Sequence, residues 1–194
     1  MGKGSTERIT AKSKQLEAEE QLKILFTAKG DDLADAVIKV FQELGAKAEP
    51  GKPDRDDIII EFEGKHAVVE VKGRNSSAAE KDVAQLQKWV SISLADREID
   101  AKGMLLVNAF CDTPIAERVE PAFPDQMLKL SKRYEHCLLT TTQLLGLLLV
   151  ARAHPEKRVE LVNSLFSTIG VYHQFSDWQK FLTRPAVSAS KKDA

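Results

Sequence analysis

The stretch that decides the fold is DIIIEFEGKHAVVEVKG, residues 57–73. Its two runs rich in isoleucine and valine, residues 58–62 and 67–72, stand on either side of Gly64-Lys65. This pattern predicts a β-hairpin, because such runs favour strands and a glycine between them can supply the positive φ of a tight turn. We therefore expect two antiparallel strands joined at Gly64-Lys65.

The alternation of side chains along a strand predicts which of these residues meet. Successive side chains point to opposite faces, so Glu70 and Lys72 share one face while Val69 and Val71 point into a core. Asp57 stands at the start of the partner strand and is expected at the same end of the hairpin. Two carboxylates and one ammonium group are therefore expected to converge on one small patch.

Such a patch suits a hard divalent cation. Mg²⁺ binds one or two carboxylates and completes its octahedral shell with waters and substrate phosphate. A lysine beside the metal can position or deprotonate the attacking water. The spacing alone leaves a second interpretation open, in which Glu70 and Lys72 are an ion pair on a solvated sheet face.

Asp57, the run Glu70-Val71-Lys72 and the following Gly73 resemble the motif of the PD-(D/E)xK nuclease superfamily, which has the restriction-endonuclease-like fold. In that fold a helix precedes a mixed sheet, the central hairpin carries the acids and the lysine, and a second helix follows the lysine. The resemblance implies an α/β protein with a restriction-endonuclease-like mixed central sheet flanked by helices.

The surrounding sequence has a similar order. Apolar residues at helical spacing predict helices over Asp32–Leu44 and Ala78–Leu94. On the second helix Gln85 and Trp89 have a Gln-x3-aromatic spacing that resembles an accessory motif of some of these nucleases, and we expect Trp89 to be a core residue. The runs KGMLLVNAF and LLTTTQLLGLL resemble a bacterial branch of uncharacterised domains in the superfamily, so the resemblance covers roughly residues 20–150.

The resemblance implies a metal site. Asp57, Glu70 and the backbone carbonyl of Val71 would hold Mg²⁺ or Mn²⁺. Many relatives add a glutamate from the first helix, and here Asp35 stands at the corresponding position, following Ala34. This departure allows either a substitution of the ligand by Asp35 or its loss.

A second departure concerns the first acid of the motif. The dipeptide Pro53-Asp54 lies three residues before Asp57, so Asp54 and Asp56 are alternative candidates. We prefer Asp57 because the apolar strand begins immediately after it.

The resemblance also implies a reaction. Asp57, Glu70, Lys72 and Gln85 would be the catalytic residues, with Lys72 orienting the attacking water and Gln85 supporting Lys72 or a phosphate. The implied function is hydrolysis of phosphodiester bonds in nucleic acid, expected to be DNA, with 5′-phosphate and 3′-hydroxyl products. The alternative is a catalytically inactive nucleic-acid-binding or assembly module that keeps the fold.

Charge neither requires nor excludes a nucleic-acid partner. The chain of 194 residues has a net charge of −1, without the overall basic excess of most nucleic-acid binders. Five basic residues nevertheless lie close together in sequence, and they predict either a binding surface or a solvated face. Its members are Lys65, Lys72, Arg74, Lys81 and Lys88.

The remaining expectations concern location and domains. Cys111 and Cys137 form no close pair and the start lacks an apolar signal region, so we expect reduced thiols in a cytoplasmic protein without a membrane span. Residues 1–28 are predicted as a helical extension that allows a homodimer, residues 29–184 as the nuclease-like domain, and residues 185–194 as a mobile tail. Asn108 is expected in a surface loop.

Overall fold

The computed structural model describes residues 20, 22–52 and 57–177. Most of the predicted N-terminal extension, the alternative acids Asp54 and Asp56, and the predicted tail lie outside these residues. Residues 22–27 are helical, and Leu25 in this segment is fully buried in the core.

Helices and strands alternate through most of the described chain. In order they are α1 (Gly30–Glu43), β1 (Lys47–Pro50), β2 (Ile58–Phe62), β3 (Lys65–Gly73), α2 (Glu80–Arg97), β4 (Lys102–Asn108), α3 (Asp125–Arg133), β5 (Cys137–Thr140), α4 (Thr141–Ala153), α5 (Arg158–Ser167) and β6 (Gly170–Val171). Within the described ranges the strands form a six-stranded sheet in the order β1 to β6. β1, β2 and β3 pair antiparallel, whereas β3 to β6 pair parallel. The predicted mixed central sheet is therefore confirmed.

The predicted hairpin is formed by β2 and β3, but its turn lies one residue earlier than expected. Phe62 pairs with Lys65, so the turn residues are Glu63 and Gly64 rather than Gly64-Lys65. Both have positive φ, 48° and 75°, as a two-residue hairpin turn of type I′ requires. Lys65 is consequently the first residue of β3.

Helices cover both faces of the sheet, as the prediction requires. Apolar side chains of α1, α4 and α5 pack with Val69 and Val71 in one hydrophobic cluster. Apolar side chains of α2 and α3 pack with Val68 in a second cluster on the other face, where Trp89 is buried as predicted. Glu70 and Lys72 belong to the face of β3 that α2 covers, because they alternate with Val69 and Val71.

The segment before α1 is attached to the carboxyl end of the parallel strands. A Cβ on Gly73 would lie 2.7 Å from the Lys29 Cα, so the backbone of Lys29 crosses directly over the end of β3. Asn108 donates a hydrogen bond of 2.9 Å to the Ala28 carbonyl, and Arg118 donates one of 2.6 Å to the Phe26 carbonyl. Three neighbouring contacts therefore hold residues 26–29 at this edge.

Asn108 is not the surface loop residue that the sequence predicted. Its side chain is 1% exposed, and its Oδ1 accepts a hydrogen bond of 2.9 Å from Arg118. The donor and the acceptor of its side-chain amide are thus both used to connect the end of β4 to other segments.

Two expectations about the environment can be compared with the structure. Cys111 and Cys137 are free thiols, as predicted, and the structure adds that both are buried. In the described part of the chain, none of the helices has the length and apolar character that a membrane span requires.

Candidate active site

The structure brings Asp57, Glu70 and Lys72 together near the carboxyl end of β3. The Lys72 Nζ forms an ion pair with the Glu70 Oε1 and lies 3.9 Å from the Asp57 Oδ2. The same Asp57 oxygen accepts a hydrogen bond of 2.8 Å from the backbone N–H of Val71. The convergence expected from the sequence is therefore present, while the catalytic roles stay predictions.

Strand geometry explains this convergence. The paired part of β2 begins with Ile58 opposite Val69, so Asp57 stands beside Glu70 just beyond the last pair. Glu70 and Lys72 are two residues apart and share a face. No distant part of the chain is needed to form the cluster, which is why a local pattern predicted it.

Glu70 has an unusual environment for a carboxylate. Its side chain is 0% exposed, and within the described part of the chain its carboxylate is compensated by the ion pair with Lys72 rather than by hydrogen-bond donors of the backbone. Burial raises the pKa of Glu70 to about 7, Lys72 opposes this shift, and the negative charges of Asp57 and Asp82 add to it. A buried carboxylate is expensive unless a cation compensates its charge, and here the ammonium of Lys72 supplies one.

The backbone of Val71 adds a third oxygen to this donor set. In an antiparallel ladder the N–H and C=O of one residue point to the same side of the strand. Because the N–H of Val71 points to Asp57, its carbonyl points to that side as well, past the last described pair of β2 and β3. Two carboxylates and one carbonyl fit the oxygen preference of Mg²⁺ and leave positions for water and substrate.

Two predicted site residues lie apart from this cluster. Asp35 is exposed on α1, which covers the Val69 face of the sheet rather than the Glu70 face. Gln85 is exposed on α2, and the contacts among Asp57, Glu70 and Lys72 form without it. Across residues 20, 22–52 and 57–177, no group of three or more Asp, Glu, His or Cys side chains lies close enough together to hold a metal ion. The roles of Asp35 and Gln85 stay predictions.

The sequence analysis named Arg74 only as one of five clustered basic residues, and it missed Asp82, the acid that pairs with Arg74. Arg74 forms an ion pair with Asp82, a residue of the first turn of α2 that is 1% exposed. Asp82 also accepts a hydrogen bond of 2.8 Å from the N–H of Ala79. Signals for both existed: Arg74 continues the alternation of Glu70 and Lys72, and an acid three residues after a helix start is typical of capping.

The basic residues that are close in sequence do not form one surface. Lys65 and Lys72 stand near opposite ends of β3 and are about 23 Å apart along an extended strand. Lys65 instead donates a hydrogen bond of 2.7 Å to Asn163. Lys81 and Lys88 are exposed on α2, and the Lys88 Nζ lies 4.6 Å from the centre of the Trp89 ring. Lys65 is therefore not part of the candidate site.

Comparisons with known proteins give a structural likeness of low sequence identity. A comparison with protein-family models finds no match, and one with curated proteins finds none either. Among solved structures, the chain is similar to the small subunit (R.BspD6I2) of the heterodimeric restriction endonuclease R.BspD6I. The identity is 15%, the TM-score is 0.49, and the match covers 84% of this chain and 95% of that one.

Proposed function

We propose that the protein is a metal-dependent nuclease that hydrolyses phosphodiester bonds in DNA, with Mg²⁺ or Mn²⁺ as its metal. The observation that carries this proposal is the buried Glu70 carboxylate, which forms an ion pair with Lys72 and stands beside Asp57. The motif formed by these residues, which resembles that of the PD-(D/E)xK superfamily, supports the same assignment.

Each residue of the cluster has a role in this proposal. Asp57, Glu70 and the Val71 carbonyl would hold the metal, which when bound would supply a water of lowered pKa and charge neutralisation at the phosphate. Lys72 contacts both carboxylates and orients the attacking water toward phosphorus. Attack forms a new P–O bond and breaks the bond to the 3′ oxygen, leaving a 5′-phosphate and a 3′-hydroxyl.

One observation favours a second candidate, an inactive nucleic-acid-binding or assembly module. Glu70 is fully covered in this structure, and Asp35 does not join it. A carboxylate that no metal reaches would be a remnant of the site. A homodimer formed through the predicted N-terminal helix is compatible with either function, and most of residues 1–28 lie outside the described residues.

A cleavage assay separates the two candidates. Supercoiled plasmid, linear duplex and single-stranded DNA are incubated with Mg²⁺, with Mn²⁺ or with chelator. The nuclease proposal expects cleavage with metal and none with chelator, and products that a ligase joins directly because they carry 5′-phosphates. The Glu61→Gln variant, which changes an exposed glutamate of β2, is a matched control and should cleave like the wild type. DNA retention without cleavage under every metal condition would favour the inactive module.

Replacing Lys72 with methionine should lower cleavage by about 10²–10⁴-fold, the usual contribution of a group that positions or transfers a proton. The variant should also lose stability, and the loss should be larger at pH 8 than at pH 6. The reason is that Lys72 holds down the pKa of Glu70, so its removal penalises the charged carboxylate most. Cleavage rates and thermal midpoints at both pH values test this expectation.

The Lys81→Met variant is the control for the Lys72 experiment, because Lys81 is exposed on α2. It should leave both the rate and the midpoint close to the wild-type values. Full activity in Lys72→Met would exclude Lys72 from the mechanism.

A further inference from the structure

Three charged side chains follow one another along the same face of β3 and its continuation. Glu70, Lys72 and Arg74 are each two residues apart, so all three point toward the side covered by α2. The backbone of Arg74 is held in this extended position, because its N–H donates to the Asn108 carbonyl at 2.9 Å and its own carbonyl accepts from the Cys111 N–H at 2.9 Å. Arg74 is thus the member of the row nearest the carboxyl edge of the sheet.

The guanidinium of Arg74 has donors to spare. One terminal nitrogen pairs with the Asp82 Oδ1, whereas the buried Nε has no hydrogen-bond partner. The side chain is 22% exposed, so part of the group faces solvent. An arginine offers five N–H donors in a planar fork, the arrangement that matches the oxygens of a phosphate. Because the Nε is covered in this structure, an incoming anion would bind the terminal N–H groups of the fork.

Asp82 fixes the direction of this fork. Its carboxylate is buried, and its second oxygen accepts the hydrogen bond from Ala79 at the start of α2. The carboxylate therefore connects Arg74 to a rigid helix and limits the orientations open to the guanidinium. Arginine held this way loses less side-chain freedom when it binds an anion.

We propose that Arg74 binds a phosphate of the nucleic acid strand beside the phosphate at Lys72, and that Asp82 is its positioning residue. This inference rests on the nuclease function proposed above. The competing explanation is structural: the Arg74–Asp82 pair joins the end of β3 to α2 and contacts no substrate.

Salt dependence of binding distinguishes these explanations. Each phosphate that a protein cation neutralises contributes about 0.9 to the slope of log K against log salt for duplex DNA. A purely structural pair contributes nothing to that slope. Binding is measured on a Glu70→Gln parent in chelator, so that no cleavage occurs, using fluorescence anisotropy of a short labelled DNA duplex over a series of NaCl concentrations.

The variants are chosen so that misfolding does not obscure the result. Arg74→Gln alone would leave Asp82 buried and unpaired, so the double variant Arg74→Gln/Asp82→Asn is the main test, because replacing both partners avoids that cost. Arg74→Lys retains the charge and should retain the slope. Arg133→Gln is the matched control, because Arg133 is exposed at the end of α3, beside Lys65 and far from Lys72 along the strand direction.

We expect the double variant to reduce the magnitude of the slope of log K against log salt by about 0.9, and we expect Arg133→Gln to leave this slope unchanged. Asp82→Asn alone should weaken binding at every salt concentration with little change of slope, because the charge stays and its orientation is lost. A parent that binds DNA with the same slope as the double variant overturns the assignment of Arg74 but leaves the proposed function intact. A parent that does not bind DNA at low salt contradicts both.

Discussion

Glu70→Gln is expected to abolish metal-dependent cleavage, with a loss of about three orders of magnitude or more. A metal that polarises a phosphate supplies several kcal/mol of transition-state stabilisation, and each 1.36 kcal/mol corresponds to a factor of about ten. The amide keeps the shape of the side chain but presents one oxygen and no charge to the cation. Single-turnover cleavage of a plasmid at saturating Mg²⁺ measures the loss, with Glu61→Gln as the neutral comparison.

The same variant should show a second effect, on stability. Burial raises the pKa of Glu70 from 4.5 to about 7, so between these values the folded protein binds a proton that the unfolded chain releases. The free energy of unfolding therefore falls as pH rises through this window, by roughly 3 kcal/mol at most. Glutamine has no such titration, so the variant should become progressively more stable than the wild type from pH 5 to pH 8.

The wild type and Glu70→Gln have to be compared, because His136 changes the free energy of unfolding with pH in the opposite direction to Glu70. Burial lowers the pKa of this histidine from 6.5 to about 4, so its contribution to stability is lost as pH falls through that range. The two slopes partly cancel in the wild type alone. Their separation requires urea unfolding of both proteins at each pH, since the His136 contribution is common to both.

The response of the thermal midpoint to added metal tests whether Glu70 is a metal ligand. Millimolar Mg²⁺ or Mn²⁺ should raise the thermal midpoint of the wild type at neutral pH and leave that of Glu70→Gln unchanged. The reason is that the carboxylate of Glu70 binds the cation, whereas the uncharged amide of glutamine does not. Equal midpoint shifts in both proteins would mean that Glu70 is not a ligand. Equal cleavage rates would remove it from the mechanism altogether.

Gly103→Ala is expected to have the largest effect on stability. An alanine Cβ at this position of β4 would lie 2.3 Å from the His136 Nδ1 and 2.6 Å from its Cε1. The imidazole is fully buried, so the whole ring would have to move inside a packed interior. We expect a loss of about 3 kcal/mol, the upper range for overpacking, and a fall of the thermal midpoint by about 10 °C.

Removal of His136, the residue with which the new Cβ would clash, provides the control. In Gly103→Ala/His136→Ala the ring is absent, and its removal also ends the burial of two imidazole nitrogens that have no hydrogen-bond partner. The double variant should therefore be more stable than the sum of the two single effects predicts, which a double-mutant cycle in urea measures. A Gly103→Ala protein within about 0.5 kcal/mol of the wild type would contradict the packing described here.

The parts of the site that sequence analysis predicted are those set by neighbours along the chain. Alternation within β3 placed Glu70 and Lys72 on one face, and the strand start placed Asp57 beside them. The turn was misplaced by one residue because Glu63 adopts a positive φ of 48°, and glutamate is not a residue type that indicates a left-handed position.

The parts that were missed depend on contacts between distant segments. Asn108 became buried through a hydrogen bond with Ala28, 80 residues away, which no local pattern reveals. The strand β6 has only two residues, Gly170 and Val171, and so carries no periodicity to detect. Arg74 and Asp82 were visible separately, but their pairing depends on how α2 lies against the sheet.

The attachment of residues 26–29 over the end of β3 has a consequence for assembly. Whatever protein chain precedes residue 26 joins the molecule at the edge that carries Asp57, Glu70 and Lys72, through the contacts of Gly73 with Lys29 and of Asn108 with Ala28. Because three contacts fix residues 26–29, this segment keeps a set position relative to the end of β3. A partner that binds residues 26–29 would therefore be held at a set distance from Asp57, Glu70 and Lys72.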